Sequence, residues 1–422
     1  MYALVDCNNF FVSCERVFQP ELEGKAVIVL SNNDGCAVAR SNEAKALGIK
    51  MGTPFFQLRH LVESGELQVR SSNYKLYGDM SERVMSLLRA SAPKIEVYSI
   101  DEAFLHLQEI KAEDRKPLCI ELRRKVRQWT GIPVSIGIAP TKTLCKIAGH
   151  FAKYYPAYGG VCVIDNDQKR RKALELTEIG EVWGIGRKSA PKMASLGIRT
   201  AADLAAKPEE WVKRHLNIIG IRTWQELNGI ASIAEEDNSR RQSICTSRSF
   251  AGEISDKAEL ELRISDFAGA CARKLRKENS AASRVGCFIY TNRFRPDLPQ
   301  YNSWEEVILE TPVNSNQEVV SAALDAFRKI YREGFGYKKA GVVVDEIVAA
   351  DAVQESLFSS EEDISNRIKA EKVSSIMDKF NSDGRQILHL GTQRSGHYAE
   401  GIRREHCSRL YSTDWSELLE IH

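Results

Sequence analysis

Asp6 closes the first apolar run of the chain, and an acidic pair, Asp101-Glu102, interrupts a second apolar stretch far downstream. If the strands carrying them are neighbours in one sheet, three carboxylates converge at its end. Like charges brought that close raise one another's pKa values or require a cation. Hard oxygen donors suit Mg²⁺, which keeps coordination positions for water and substrate phosphates. A pair of such ions can activate a hydroxyl nucleophile and steady a leaving pyrophosphate. The ordinary alternative is that Asp6 caps the following helix and Asp101-Glu102 is only a polar turn.

Such carboxylates need a sheet to hold them, and the surrounding pattern supplies one. Strands are predicted at 2–5, 26–30, 36–39 and 134–138, with two more meeting at the acidic turn inside 95–107. Asn32-Asn33-Asp34-Gly35 between apolar runs is a hairpin signal. Helices are predicted at 41–47, closed by Gly48, at 74–90 with Leu76, Met80, Val84, Leu87 and Leu88 on one side, at 118–129, and after Thr141. The order is mixed, an α+β pattern and not the steady alternation of a doubly wound sheet.

Residues 167–235 change character to short helices punctuated by Gly184, Gly186, Gly197 and Gly220, and 235–242 has the composition of a linker. Between 243 and 349 the elements run β-α-β-β-α-β, the split βαβ pattern. The polar remainder holds one predicted helix around 367–380.

Composition bounds the class. The 422 residues are 43% hydrophobic and 27% charged, enough for two to four domains of a soluble globular protein. No apolar run approaches the roughly 18 residues of a membrane span, and the N-terminus lacks the pattern of a secretory signal. The expected location is therefore cytoplasmic. Ten scattered cysteines form no Cys-x-x-Cys pair and read as reduced, mostly buried thiols, and a structural zinc site is not expected. Net charge is only +2, so overall charge neither requires nor excludes a nucleic-acid partner.

Local sequence goes further. Tyr98-Ser99-Ile100-Asp101-Glu102-Ala103-Phe104 resembles the acidic signature of Y-family DNA polymerases, and Asp6-Cys7-Asn8-Asn9-Phe10-Phe11 resembles their N-terminal motif. Ser31-Asn32-Asn33-Asp34-Gly35, Ser71-Ser72-Asn73-Tyr74 and Thr141-Lys142-Thr143-Leu144 resemble the UmuC branch in particular. The likeness runs in the same order from residue 1 to beyond 350.

The resemblance implies a right-hand polymerase: a ferredoxin-like palm (1–20 and 76–166), small fingers (21–75), a helical thumb with a helix-hairpin-helix (167–235), a linker (236–242), a βαββαβ little finger (243–349) and a C-terminal tail (350–422). It implies that Asp6, Asp101, Glu102 and the main-chain carbonyl of Cys7 hold two Mg²⁺ ions for in-line nucleotidyl transfer from a dNTP onto a primer paired to template DNA. Phe11 would lie under the sugar and leave no room for a 2′-hydroxyl. The alternative is that Phe10 and Phe11 are both core residues of an amphipathic helix.

Lys45, Lys153 and Asn42 are the triphosphate candidates by the same resemblance; as isolated residues the lysines would be solvated surface groups. Many relatives have Tyr and Arg at the Asn42 and Lys45 positions, so the grip on the triphosphate is expected to differ. Gly184, Gly186, Arg187 and Lys188 are placed in a phosphate-binding hairpin, with an ordinary helix connection as the alternative. Arg248, Arg293 and Arg295 are the expected phosphate contacts of the little finger, against the alternative of a solvated basic face.

Gln354-Glu355-Ser356-Leu357-Phe358 resembles the bacterial sliding-clamp motif, with Gln354, Leu357 and Phe358 as its anchors. The tail resembles the UmuC-type extension, which implies RecA and cleaved UmuD as partners in an error-prone SOS response. Two other readings remain open at this level: an accessory DNA- and clamp-binding protein without catalysis, and a palm-fold nucleotide cyclase.

Overall fold

The computed structural model describes residues 1–235, 241–353, 360–381, 387–393 and 404–418. The chain divides into two compact units, Met1–Glu236 with Arg404–His422, and Asp237–Arg403.

The first unit opens with β1 (Tyr2–Cys7), α1 (Phe10–Phe18), β2 (Ala26–Leu30), β3 (Ala37–Arg40), α2 (Asn42–Ala46), α3 (Arg59–Glu63) and β4 (Leu67–Ser71). It continues with α4 (Tyr74–Arg89), β5 (Lys94–Val97), β6 (Glu102–His106), α5 (Ala112–Thr130), β7 (Val134–Ala139), α6 (Lys142–Tyr154) and β8 (Val161–Val163). Five short helices follow: α7 (Asp167–Leu176), α8 (Ser189–Ser195), α9 (Ala201–Ala205), α10 (Glu209–His215) and α11 (Ile218–Leu227).

One five-stranded sheet, in the order β5-β6-β1-β7-β8, has β1 at its centre, antiparallel to both neighbours. Side chains alternate across a strand. Ala3, Val5, Cys7, Ala103 and Leu105 therefore enter one core with α1, α4 and α5, while Leu4 and Phe104 face α6 in another. Gly137 lets α6 lie directly on the sheet, because a Cβ there would overlap the helix backbone. Thr141 caps α6 by accepting the Leu144 N–H. The buried Glu226 of α11 accepts the Thr143 N–H at 2.9 Å and the Ser232 N–H at 2.9 Å, fixing the start of α6 to the short-helix region.

A separate three-stranded sheet, β3-β2-β4, pairs β2 with β3 in the predicted hairpin and adds β4 parallel to β2. The sequence pattern does not single out β4, whose five residues offer only two strongly apolar positions, Leu67 and Val69. Helix α5 begins at Ala112, earlier than the predicted 118, and runs through Pro117. A proline reads as a helix start, so the preceding turn is invisible to that rule.

The second unit contains β9 (Ser243–Ile254), α12 (Lys257–Lys277), β10 (Ser280–Thr291), β11 (Asn302–Val313), α13 (Asn316–Ile330), β12 (Tyr337–Ala349) and α14 (Glu361–Phe380). Its four strands form one antiparallel sheet, β11-β10-β12-β9, with α12 and α13 on one face around a single apolar core. α14 joins this unit through Arg276, whose guanidinium donates to both carboxylate oxygens of Asp378 at 2.7 and 2.9 Å. Residues 404–418 pack on the first unit instead, so the expected tail is divided between the two. All ten cysteines are free and most are buried. Among the described residues no helix is long and apolar enough to cross a membrane.

Candidate active site

Asp6 lies directly opposite Glu102 in the β1–β6 ladder. Directly opposed residues leave the same face of a sheet, here the face that α6 covers. Asp101 sits beside them in the turn, where its carbonyl accepts the Cys7 N–H at 2.9 Å. The Ser99 hydroxyl shapes that turn, donating to Asp101 Oδ1 at 2.6 Å and accepting the Glu102 N–H at 3.0 Å. Three carboxylates therefore gather at one end of the two central strands.

Helix α6 answers them with lysines. Lys142, Lys146 and Lys153 recur four and seven residues apart, which keeps them on one stripe of the helix. Lys142 Nζ reaches Glu96 on β5 at 2.6 Å, Lys146 Nζ reaches Glu102 on β6 at 2.9 Å, and Lys153 Nζ reaches Asp6 on β1 at 2.6 Å. Three successive strands thus each give one carboxylate to one lysine. Burial raises the Glu102 pKa above the ordinary value; Lys146 opposes that, and Asp6 and Asp101 add to it. Burial disfavours the charge on Lys153, yet Asp6 outweighs it and the pKa ends above the ordinary lysine value.

The donors are the hard oxygens that Mg²⁺ takes, and two ammonium groups stand where positive charge is needed, so the residues fit such a cation. The Cys7 thiol is buried and held well above its usual pKa by that burial, which leaves its carbonyl as the atom it can offer. The three carboxylates do not close into one ligand set, since Asp6 and Glu102 turn to lysines and Asp101 to Ser99. Among the described residues, the group whose metal-type atoms all lie within 4.8 Å is Glu96, His106 and Glu235. Lys142 and Lys94 already neutralise its two acids.

On the neighbouring helix α1 the two phenylalanines part company. Phe10 is 4% exposed in the core, whereas Phe11 is half-buried and stacks on Tyr77 with centroids 4.5 Å apart and rings 15° from parallel. Asn9, in the left-handed region at φ 47°, precedes them. Its side chain accepts from Lys45 Nζ at 2.7 Å and donates to Asn42 Oδ1 at 3.1 Å, joining two of the expected triphosphate residues. Burial lowers the Lys45 pKa, and the nearby positive charge of Lys153 lowers it further. Asn9 and the Lys146 partner of Glu102 are absent from the residues picked out by sequence. The lysine stripe of α6 is the signal that could have found Lys146; nothing in the sequence marks Asn9 as a bridge.

The remaining expected contacts are scattered. Gly184, Gly186, Arg187 and Lys188 are exposed before α8, with Gly184 at φ 91°. The Ser189 and Ala190 N–H groups are spent on the Gly186 carbonyl, both at 2.9 Å. Arg248 pairs across β9–β12 with Ala340, a buried core residue, so alternation puts it on the helix-covered face and not on the open one. Arg293 and Arg295 lie in the loop after β10, both exposed. Arg293 sits over the Phe294 ring at 4.8 Å, and Arg295 is clasped by Asp297 at 2.6 Å. Gln354, Leu357 and Phe358 lie outside the described residues.

The other face of this second sheet, away from α12 and α13, carries an aromatic strip. Phe288 stacks on Tyr290 at 4.9 Å and on Trp304 at 6.4 Å, with Lys339 Nζ 5.7 Å from the Phe288 ring. Trp304 lies across Gly286, where a Cβ would strike its ring, and is 42% exposed.

Solved structures of the same fold are DNA polymerases. A Y-family DNA polymerase chimera superposes with a TM-score of 0.67 at 22% identity, over 82% of this chain and 99% of the other. DinB from Sulfolobus solfataricus does so with a TM-score of 0.52 at 22% identity, over 82% and 98%. At this identity the likeness establishes the fold, an α+β one.

Sequence relatives are more alike. Residues 5–150 match the impB/mucB/samB family and residues 241–357 its C-terminal domain. Protein ImpB of Salmonella typhimurium is 38% identical over 99% of both chains, and Protein UmuC of the same species 37% identical over the whole of both. DNA polymerase IV 1 of Bacillus subtilis is 27% identical over 92% of this chain and 91% of its own. The chain belongs to the impB/mucB/samB family, the UmuC-like branch of the Y-family translesion DNA polymerases. It is a DNA-directed DNA polymerase, a nucleotidyltransferase.

Proposed function

We propose that the chain is an error-prone translesion polymerase of the SOS response that transfers nucleotides from dNTPs to a primer by a two-Mg²⁺ mechanism. The observation that carries this reading is the pairing of Asp6 with Glu102 across the sheet, with Asp101 in the adjoining turn. Asp6, Asp101, Glu102 and the Cys7 carbonyl hold the ions. Those ions supply charge neutralisation for the attacking and leaving oxygens.

The chain's own groups do the rest. Lys45 and Lys153 grip the triphosphate as point charges, with Asn42 and Asn9 orienting Lys45. Lys153 exchanges Asp6 for phosphate when the nucleotide arrives, and Lys146 holds the Glu102 carboxylate in place until then. Phe11, backed by Tyr77, presents a ring face that a 2′-hydroxyl would strike. The palm (1–20 and 76–166), fingers (21–75) and thumb (167–235) frame this site, and the little finger (243–349) lies against DNA. The sliding clamp docks at Gln354, Leu357 and Phe358, and RecA and cleaved UmuD act on the assembled enzyme.

Primer extension on a primed template, with and without an abasic site, tests the reading. Wild-type protein is expected to extend, and Asp101→Ala to be inactive while keeping its fold and DNA affinity. Full activity in that variant would remove the assignment, and template-independent product would point to a cyclase instead.

A further inference from the structure

Two motifs of the sequence, 31–35 and 71–74, supply none of the site's carboxylates or lysines, although Tyr74 stands edge-on to the Phe11 ring at 5.9 Å. Both touch the same segment, residues 404–418, which follows the whole second unit in the chain. The Glu405 N–H donates to Asp34 Oδ2 at 2.9 Å. Ser71 and His406 exchange two bonds, the Ser71 N–H to the His406 carbonyl at 2.9 Å and the His406 N–H to Ser71 Oγ at 3.0 Å. Asn73, which caps α4, donates to the carbonyls of Ser408 at 3.3 Å and Arg409 at 3.1 Å. Further on, the Tyr411 ring lies flat on Phe18 at 4.8 Å, and Gln19 Nε2 donates to its hydroxyl at 3.0 Å.

One of these contacts leads inward. The Ser408 hydroxyl donates to Glu15 Oε1 at 3.1 Å, and the same oxygen accepts the Tyr77 hydroxyl at 2.6 Å. Glu15 is fully buried on α1, and its Oε2 meets no donor among the described residues. Burial raises the Glu15 pKa, while the bonds from Tyr77 and Ser408 and the charge of Arg70 oppose that. A buried carboxylate short of donors is costly, so each donor it keeps constrains the helices that carry it. Tyr77 is also the ring on which Phe11 stacks. Two hydrogen bonds and one ring stack therefore connect residue 408 to residue 11.

We propose that residues 404–418 are a strap that fixes α1 and α4 and so sets the position of the Phe11 ring, making Ser408 and Tyr411 positioning residues for sugar discrimination. The proposal rests on Phe11 being the sugar gate. The site then needs the C-terminal segment in place, a segment that the whole second unit precedes in the chain.

Full-length Ser408→Ala, Tyr411→Ala and Ser408→Thr test this beside Phe11→Ala. The readouts are the dNTP-to-NTP preference, KM and kcat for dNTP, and amide hydrogen exchange in α1 and α4. The two alanine variants of the strap are expected to lower the preference about threefold to tenfold, the scale of one hydrogen bond. The change should fall mainly on KM, with faster exchange in both helices, and Ser408→Thr should restore wild-type values. If Phe11→Ala relaxes the preference while the strap variants change neither preference nor exchange, the strap is overturned and the gate stands. If Phe11→Ala leaves the preference unchanged, the gate reading fails, and the strap's role in discrimination with it.

Discussion

The two large sheets use the same alternation of strand side chains to opposite ends. In the first unit both faces of β5-β6-β1-β7-β8 are covered, so its polar residues survive only where a partner meets them. Lys142, Lys146 and Lys153 on α6 are those partners, and the chemistry is concentrated where the central strands end. In the second unit one face of β11-β10-β12-β9 is buried under α12 and α13, and the other presents Trp304 and Tyr290, both stacked on the buried Phe288. Two of its arginines are held by nearby acids, Arg284 by Asp345 and Arg295 by Asp297. A covered sheet makes a site of a few fixed charges; a half-covered one makes a surface.

The comparison can be broken at its strongest point first. Asp101→Ala is expected to lower the rate of primer extension by about a thousandfold or more, as loss of a group acting on the transition state does, while the circular dichroism spectrum and DNA affinity stay near wild type. Phe11→Ala is expected to raise ribonucleotide incorporation by about 10–100-fold, the scale for removing a steric barrier in a pocket, measured as the ratio of kcat/KM for NTP and dNTP.

Lys146→Ala removes the ammonium bonded to the part-buried Glu102 and is expected to cost about 2–3 kcal/mol in denaturant unfolding, the scale of a hydrogen bond to a charged group. The sign with pH follows from the Glu102 pKa, already raised by burial and raised further without Lys146. The ionised form is then the disfavoured one in the folded state. The deficit of the variant should therefore grow as pH rises through the folded Glu102 pKa and shrink below the unfolded one. A deficit that grows on acidification instead would show that Lys146 does not act through Glu102.

The smallest effect concerns the second unit. Arg293→Ala is expected to weaken DNA binding at every sequence and to reduce the salt slope by about 1, as loss of one phosphate contact does. Arg248→Ala, on the helix-covered face, should leave the slope unchanged. Equal slopes for the two variants would erase the distinction between the exposed loop after β10 and the helix-covered face.

Much of this architecture was legible in the chain. Short apolar runs announce β1, β6 and β7, the β-α-β-β-α-β order announces the second unit, and the Asp101-Glu102 turn announces an acidic centre. Local chemistry decides those features, because a strand's period and a turn's residues are written within a few positions. The split between Phe10 and Phe11 was open in sequence, since both sit at the start of one amphipathic helix; the ring of Tyr77 separates them. Arg248 looked available for DNA only because its strand register was unknown.

What the sequence by itself determined is which residue types exist, at which period, and which family they spell. Tertiary structure alone decided that Lys146 meets Glu102, that Asn9 joins Lys45 to Asn42, and that Ser408 bonds Glu15 from 393 positions away. The physical reason is range. Propensity and alternation act over a few residues, whereas an ion pair or a buried hydrogen bond depends on packing that brings distant segments within about 3 Å.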